Sequence, residues 1–150
     1  MRLDFLLNGV AVSTEIAATD LLTDVLRDKL RVTSVKKGCE TGDCGACSVL
    51  INGALFKSCV TLAATIAGKS VATVEGLMAN GELSAIQKKL AENHGTQCGF
   101  CTPGMVLAIK ALLDENPKPT EEEIRRGLAG NLCRCTGYQK IIDTVKILTA

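Results

Sequence analysis

Four cysteines in the first half of the chain have a spacing that suits metal binding. Cys39, Cys44, Cys47 and Cys59 follow the pattern C-x4-C-x2-C, with eleven residues before the last cysteine, in CETGDCGACSVLINGALFKSC. Plant-type [2Fe-2S] sites have this spacing. A tight loop would supply three thiolates and a neighbouring strand the fourth. A zinc knuckle is the alternative, although structural zinc sites usually combine two close cysteine pairs and this segment has one.

The glycines among these cysteines predict a specialised backbone. Gly38, Gly42 and Gly45 flank or interrupt the cysteine loop. Glycine permits positive φ and leaves the backbone bare, so several N–H groups can point towards a bound anion. We therefore expect these three glycines to form the cluster loop backbone.

A second set of four cysteines lies near the other end of the chain. Cys98 and Cys101 form a C-x2-C pair in TQCGFCTPG, and after 31 residues Cys133 and Cys135 form a C-x-C pair in NLCRCTGY. Each pair comes just before a predicted helix start. Because helix N-termini favour negative charge, this arrangement suits an anionic cluster.

Three other uses of these cysteines are weighed against a cluster. CGFC resembles the redox dithiol of thioredoxin-like proteins, but the polar tail of a predicted helix precedes it where a buried strand is expected, and the later pair would stay unexplained. A structural zinc site from the second set is the stronger alternative. Four disulfides are disfavoured because the chain shows no export signal and clustered cysteines in a reducing compartment more often hold metal.

Composition excludes several other classes of protein. The chain has 17 basic and 16 acidic residues, for a net charge of +1, and it lacks the basic patch of a nucleic-acid binder. The start, MRLDFLLNGVAVSTE, interrupts any signal-peptide apolar run with Asp4 and an Asn-Gly turn. No apolar run reaches the roughly 18 to 20 residues that span a bilayer. We expect a cytoplasmic protein with no membrane span and no nucleic-acid partner.

The sequence on either side of the first cysteine set predicts mainly β-strands. Asn8-Gly9 and Asn52-Gly53 each sit between apolar strands and predict two hairpins. Thr19 or Asp20 can cap a helix through LLTDVLRDKL, and SVATVEGL predicts a further short strand. Residues 1–76 therefore form a predicted α+β sheet domain.

The remaining residues, 77–150, read as four helices. Ser84 can cap SAIQKKLAEN, and Pro103 suits the first turn of PGMVLAIKALLDEN. Thr120 and Glu123 form a capping box for a third helix that ends at Gly130, and YQKIIDTVKIL forms a fourth. The period of the apolar residues changes from two to 3.6 after residue 76, which predicts two packed domains.

Three motifs identify a family resemblance that covers essentially the whole chain. GCETGDCGACSV, QCGFCTPGM and GNLCRCTGY occur in that order at fitting separations. The chain closely resembles the iron–sulfur small subunit of the molybdenum hydroxylases, the xanthine dehydrogenase, aldehyde oxidoreductase and carbon monoxide dehydrogenase group. The resemblance implies a β-grasp plant-type ferredoxin-like domain followed by a four-helix bundle with pseudo-twofold symmetry, each holding one [2Fe-2S] cluster.

The resemblance also implies roles for particular residues. It places the cluster of the helical domain nearest the molybdenum cofactor of a large subunit and the plant-type cluster farther out, towards a flavin. Gln97 and Cys135 match the family positions that touch the molybdopterin, Gln97 through its side-chain amide. The implied assembly is a heterotrimer, or a dimer of heterotrimers, with a molybdopterin-binding large subunit and an FAD-binding medium subunit.

We therefore expect an electron-transfer subunit with no catalytic residue of its own. His94 lies at a predicted helix end, where it suits capping or solvation, and Tyr138 suits a core or a subunit interface. The alternative function is a free-standing two-cluster electron carrier with the same ligands. The sequence does not specify the substrate or the electron acceptor of the complex.

Overall fold

A five-stranded mixed sheet forms the first part of the fold. The computed structural model describes residues 1–150. The strands lie in the order β2-β1-β5-β3-β4, with β1 and β5 parallel and the other neighbours antiparallel. They are β1 (Arg2–Leu7), β2 (Val10–Glu15), β3 (Ser48–Ile51), β4 (Ala54–Lys57) and β5 (Ser70–Ala72).

Both predicted hairpins are confirmed. The turn between β1 and β2 has φ of 51° at Asn8 and 81° at Gly9, and the turn between β3 and β4 has 49° at Asn52 and 83° at Gly53. Both central residues of each turn are thus left-handed, as a type I′ turn requires. The second hairpin fixes where Cys59 lies relative to Cys47.

The first helix is shorter than predicted and starts differently. An α-helical turn, α1 (Leu22–Asp24), continues as a π-helical segment over Val25–Lys29. Its N-cap is Leu21, with no side-chain cap, so the prediction of a Thr19 or Asp20 cap is wrong. The Asp20 carboxylate instead accepts hydrogen bonds from the Ala17 N–H at 3.0 Å and the Lys29 ammonium at 2.7 Å. The Asp20 carboxylate therefore closes a local turn and accepts no hydrogen bond from the N–H groups at the start of α1.

The four predicted helices of the second half are confirmed. They are α2 (Ala85–Glu92), α3 (Thr102–Glu115), α4 (Glu121–Leu128) and α5 (Gln139–Leu148). Ser84 with Gln87, and Thr120 with Glu123, form complete capping boxes. None of these helices has the length and apolar character that crossing a bilayer requires.

Helices α2 to α5 form a closed ring of contacts, in which each helix packs against two others. Helix α2 contacts α3 and α5, and α4 contacts the same two helices. Helix α3 also packs on β3 and β4, so it belongs to the helical core and touches the sheet. The helices bury a core of their own, called the second core because the sheet has a separate one. Its buried residues are Ile86, Leu90, Met105, Val106, Ala108, Ile109, Ile124, Leu128, Ile141, Ile142 and Val145.

The segment between the two halves is anchored to the first hairpin. The Asn8 amide donates to the Thr73 hydroxyl at 2.9 Å and its carbonyl accepts from the Thr73 N–H at 2.8 Å. Glu75 accepts hydrogen bonds from the hydroxyls of Thr73, at 2.6 Å, and Ser34, at 2.7 Å. A side chain at Gly76 would overlap the Asn8 amide. The predicted division at residue 76 therefore falls in a short turn that is held against the sheet.

Candidate metal centres

The first cysteine set lies where the long loop after α1 enters the sheet. Cys39, Cys44 and Cys47 lie in this loop, and Cys59 lies in a 3-10 turn, Ser58–Val60, directly after β4. Cys47 and Cys59 are buried, whereas Cys39 and Cys44 are partly exposed. The Ser58 hydroxyl donates to the Cys47 carbonyl at 2.7 Å and links the two buried positions. The β3–β4 hairpin thus returns the fourth cysteine to the loop.

Backbone N–H groups of this loop point at sulfur. The Cys39 sulfur accepts from the N–H of Thr41 at 3.4 Å and of Cys44 at 3.3 Å. The Cys44 sulfur accepts from the N–H of Cys39 at 3.4 Å and of Ala46 at 3.5 Å. Donors around sulfur favour the anionic thiolate, which is the form that binds metal.

The three loop glycines are needed for two different reasons. Gly42 and Gly45 have φ of 87° and 76°, where other residues are strained. Gly38 does not have a positive φ, but a Cβ there would lie 2.7 Å from the Cys44 sulfur. Gly38 therefore provides space beside a sulfur, while the other two allow the turn of the loop.

The thiols of the first set differ in acidity. Hydrogen bonds from the Thr41 side chain and from the backbone of Cys44 and Thr41 lower the pKa of Cys39 to about 6. Burial, followed by the adjacent Cys47 thiol, raises the pKa of Cys59 to about 11. A bound metal ion reverses the second effect because its positive charge favours the thiolate.

The second cysteine set lies at the starts of α3 and α5, as predicted. Cys101 is the N-cap of α3, and Cys133 and Cys135 lie in the loop that leads to α5. Cys101 and Cys133 are partly buried, whereas Cys98 and Cys135 are exposed. The set therefore has an inner pair and an outer pair.

The thiols of the second set perturb one another in two pairs. Burial, followed by the adjacent Cys133 thiol, raises the pKa of Cys101 to about 12. Burial also raises the pKa of Cys133, but hydrogen bonds from Thr136 and other groups outweigh it and the net shift is downward. The Cys98 thiol raises the pKa of Cys135. Cys101 faces Cys133, and Cys98 faces Cys135.

Tyr138 organises the loop that carries Cys133. Its hydroxyl accepts from the Cys133 N–H at 2.9 Å and donates to the Asn131 carbonyl at 3.3 Å. Its φ is 71°, an uncommon value for a residue other than glycine. Its position in the sequence predicts a core or interface residue and gives no sign of these hydrogen bonds. His94, with φ of 57°, lies just after the end of α2, in agreement with the expected capping position.

The two cysteine loops touch each other directly. The N–H of Leu132 donates to the Cys44 carbonyl at 2.8 Å. The buried Asn131 amide donates to the Gly45 carbonyl and to the Ser48 hydroxyl, both at 3.1 Å. These contacts were not predicted, because no sequence pattern relates residues more than eighty positions apart. The GN that precedes LCRC was the only available signal.

The cysteine arrangement fits two-iron clusters. No group of three cysteine, histidine or carboxylate side chains in the structure is close enough to hold one metal ion. A [2Fe-2S] cluster takes two thiolates at each iron, so four cysteines are the required donor set for one cluster. Each set supplies four sulfurs, all eight cysteines are free, and N–H or hydroxyl donors reach Cys39, Cys44 and Cys133.

The chain joins a sheet with a plant-type cysteine loop to a helical unit with cysteines at its helix starts. These two features together define a two-centre iron–sulfur protein of the ferredoxin type. Two family models match the chain in agreement with this class. Residues 5–73 match the 2Fe-2S iron-sulfur cluster binding domain, and residues 73–146 match the [2Fe-2S] binding domain. Together they cover nearly the whole chain.

Known proteins similar to the chain specify the family. It is 46% identical to the nicotine 6-hydroxylase small subunit of Paenarthrobacter nicotinovorans, over 97% of this chain and 87% of that protein. It is 48% identical to the xanthine dehydrogenase iron-sulfur-binding subunit of Escherichia coli O157:H7, over 93% and 88%. A chain of quinoline 2-oxidoreductase from Pseudomonas putida 86 superposes with a TM-score of 0.96 at 42% identity, over 99% of this chain and 93% of that one. The chain belongs to the iron–sulfur subunits of the molybdenum hydroxylase family.

Proposed function

We propose that the chain is the electron-transfer subunit of a molybdenum-dependent oxidoreductase and holds two [2Fe-2S] clusters. The observation that carries this function is that two complete sets of four free cysteines lie in loops that are hydrogen-bonded to each other. A [2Fe-2S] cluster supplies one-electron redox chemistry when bound. The chain itself provides the ligands, the hydrogen bonds to sulfur and the fixed separation between the centres.

The proposed ligands are the eight cysteines, four to each centre. The sheet domain would bind the first cluster, and the helical domain the second. The ligands of the first cluster are Cys39, Cys44, Cys47 and Cys59, and those of the second are Cys98, Cys101, Cys133 and Cys135.

Burial divides each set into a protected side and an accessible side. In the sheet domain, Cys47 and Cys59 lie in the apolar core. In the helical domain, Cys133 packs against the second core, whereas Cys98 and Cys135 face outwards. Apolar walls exclude water and limit the charge reorganisation that accompanies each electron transfer.

The backbone provides a short connection between the centres. The path starts at Cys44 of the first set and passes from its carbonyl oxygen to the N–H of Leu132. Leu132 directly precedes Cys133 of the second set. The path consists of covalent bonds and one hydrogen bond of 2.8 Å. Asn131 holds the same contact from the buried side.

The exposed side of the second set is the proposed contact with the large subunit. Gln97 is exposed and directly precedes Cys98, which faces Cys135. By family resemblance, Gln97 and Cys135 contact the molybdopterin. Phe100 and Leu132 lie beside the cysteine loops with 47% and 54% of their surfaces exposed, as expected of residues that a partner covers.

Several finer features of the family are proposed for this chain. We assign residues 1–76 to a β-grasp fold and residues 77–150 to a four-helix bundle, supported by the parallel pairing of β1 with β5 and by the closed contacts among α2 to α5. An FAD-binding medium subunit, a heterotrimer or its dimer, and a cytoplasmic location complete the proposal. No residue of this chain is proposed to act on the substrate.

Metal analysis of the full chain tests the proposal. Four irons and four acid-labile sulfides per chain, with two distinct S = 1/2 EPR signals after reduction, are expected. Zinc in place of iron at either set would refute the two-cluster assignment.

Copurification separates the subunit from a free-standing carrier. A tagged chain is expected to recover a molybdopterin-containing large subunit from its native host in constant stoichiometry. A chain that is recovered alone, with both clusters and full electron-carrier activity, would favour the free carrier. The exposed Phe100 and Leu132 support the subunit.

A further inference from the structure

Lys57, the last residue of β4, places its ammonium group between the two cysteine loops. The Lys57 Nζ donates a hydrogen bond to the carbonyl oxygen of Gly130, three residues before Cys133. A Cβ built on Gly45, which follows Cys44, would lie 2.7 Å from the same nitrogen. One built on Gly130 would lie 3.1 Å from it. One positive charge therefore adjoins both loops.

No carboxylate neutralises this charge. The ion pairs within 4.0 Å in the structure use other cations, and Lys57 is in none of them. The side chain is half-buried, which weakens screening by solvent. The ammonium thus remains a net positive charge beside the two loops that carry the cysteines.

An ordinary structural role for Lys57 is available. Gly130 follows α4, which ends at Leu128, and a lysine near the last carbonyls of a helix is favourable. This role explains the hydrogen bond to Gly130. It does not require the ammonium to lie against Gly45 in the other loop.

We infer that Lys57 is a positioning residue for electron transfer, whose charge raises the reduction potential of both clusters and of the first cluster more. The inference rests on the proposed function. Reduction adds negative charge to a cluster, so a nearby cation stabilises the reduced state. The first cluster should respond more because Lys57 is two residues from Cys59 and its Nζ adjoins Gly45, whereas its contact in the other loop is three residues from Cys133.

Removing the charge should measurably lower the potential. A unit charge roughly 10 to 15 Å away, at an effective dielectric constant near 20, changes an equilibrium by about tenfold, and partial screening reduces this. For Lys57→Gln we expect the reduction equilibrium of the first cluster to become about three- to tenfold less favourable. That range corresponds to about 28 to 59 mV for a one-electron couple.

The measurement is an EPR-monitored redox titration of the full chain with both clusters bound. Iron and sulfide are counted first, so that failure of the two-cluster proposal is recognised separately. Lys57→Arg keeps the charge and should keep both potentials. Lys118→Gln removes one positive charge from an exposed loop beyond the C-terminal end of α3 and should also leave them unchanged.

Two results would overturn the inference. The first is an unchanged potential of the first cluster in Lys57→Gln with four irons retained. Lys57→Met, which keeps the apolar stem, serves as a second uncharged variant if the first binds iron poorly. The other is loss of iron from both uncharged variants while Lys57→Arg retains it, which would assign Lys57 a structural role only.

Discussion

The backbone N–H of Leu132 donates a 2.8 Å hydrogen bond to the carbonyl oxygen of Cys44, and this bond joins a ligand loop of the sheet domain to the loop of Cys133. The two residues are 88 positions apart in the sequence. Each belongs to a loop whose conformation its own domain determines. The contact therefore makes the separation of the two centres a property of the folded chain and independent of any partner.

Gly45→Ala should disrupt this junction more than an equivalent change elsewhere. Gly45 has φ of 76°, and a Cβ there would overlap the Gly130 carbonyl and lie 2.7 Å from the Asn131 amide nitrogen. Gly53 has φ of 83° with nothing within 4 Å, so Gly53→Ala isolates the backbone strain of roughly 1 to 2 kcal/mol. Denaturant unfolding should show a clearly larger loss of stability for Gly45→Ala. Equal losses would contradict the close packing.

Asn131→Ala should loosen the contact from its buried side. The variant leaves the Ser48 hydroxyl oxygen without its donor in a site where Asn131 is 2% exposed, whereas the Gly45 carbonyl still accepts from Ser48. An unsatisfied buried group costs about 1 to 3 kcal/mol. We expect that loss in unfolding free energy and weaker magnetic coupling between the reduced centres. Asn116→Ala, which removes one exposed hydrogen bond to the Lys118 N–H at the end of α3, is the control; it should reduce the stability less and leave the magnetic coupling unchanged.

Serine substitutions should remove the two EPR signals one at a time. Cys44→Ser should abolish the signal of the plant-type centre and spare the other, because serine is a poor substitute for a thiolate ligand. Cys98→Ser should have the reverse effect. Iron content should fall by half in each variant. Loss of both signals from either substitution would show that the domains do not fold independently.

Gln97→Ala should affect the complex and not the clusters. Gln97 is exposed, and the proposed role of its amide is a contact with the molybdopterin of the large subunit. Both cluster spectra should stay intact, while reduction of the chain from molybdenum slows or cofactor retention falls. The Asn116→Ala control should match the unaltered complex. Unchanged reduction kinetics in Gln97→Ala would refute the role transferred from the family.

Cysteine reactivity in the metal-free chain should follow the thiol pKa values. Hydrogen bonds lower the pKa of Cys39 from 9.0 to about 6, so its thiolate predominates at pH 7. Because the pKa of Cys39 is lower in the folded state than in the unfolded chain, its ionisation stabilises the folded state at pH values above the usual thiol pKa of 9.0. This contribution is lost as the pH falls through about 6. Peptide mass spectrometry after brief alkylation at pH 7 should find Cys39 modified before Cys59 and Cys101, whose pKa values are raised. Faster modification of Cys59 would contradict this order.

The sequence was informative where local rules act. Both Asn-Gly turns, both capping boxes and the helix starts after the second cysteine set follow from residue types within a few positions. The uncapped start of α1 was not predictable, because the Asp20 carboxylate binds the Lys29 ammonium and the Ala17 N–H instead of capping the helix. The roles of Lys57, Asn131 and Tyr138 were missed for a similar reason. Their partners lie in other loops or depend on an unusual backbone angle.

The uneven exposure of the second cysteine set has a consequence for biogenesis. Cys101 is already the N-cap of α3 and is partly buried with Cys133, whereas Cys98 and Cys135 lie at the surface. A preassembled cluster delivered by a scaffold must enter from that surface, since the core closes the other side. In the proposed complex the large subunit covers the same face. Maturation of this chain should therefore be complete before assembly, and the order of these two events is built into its fold.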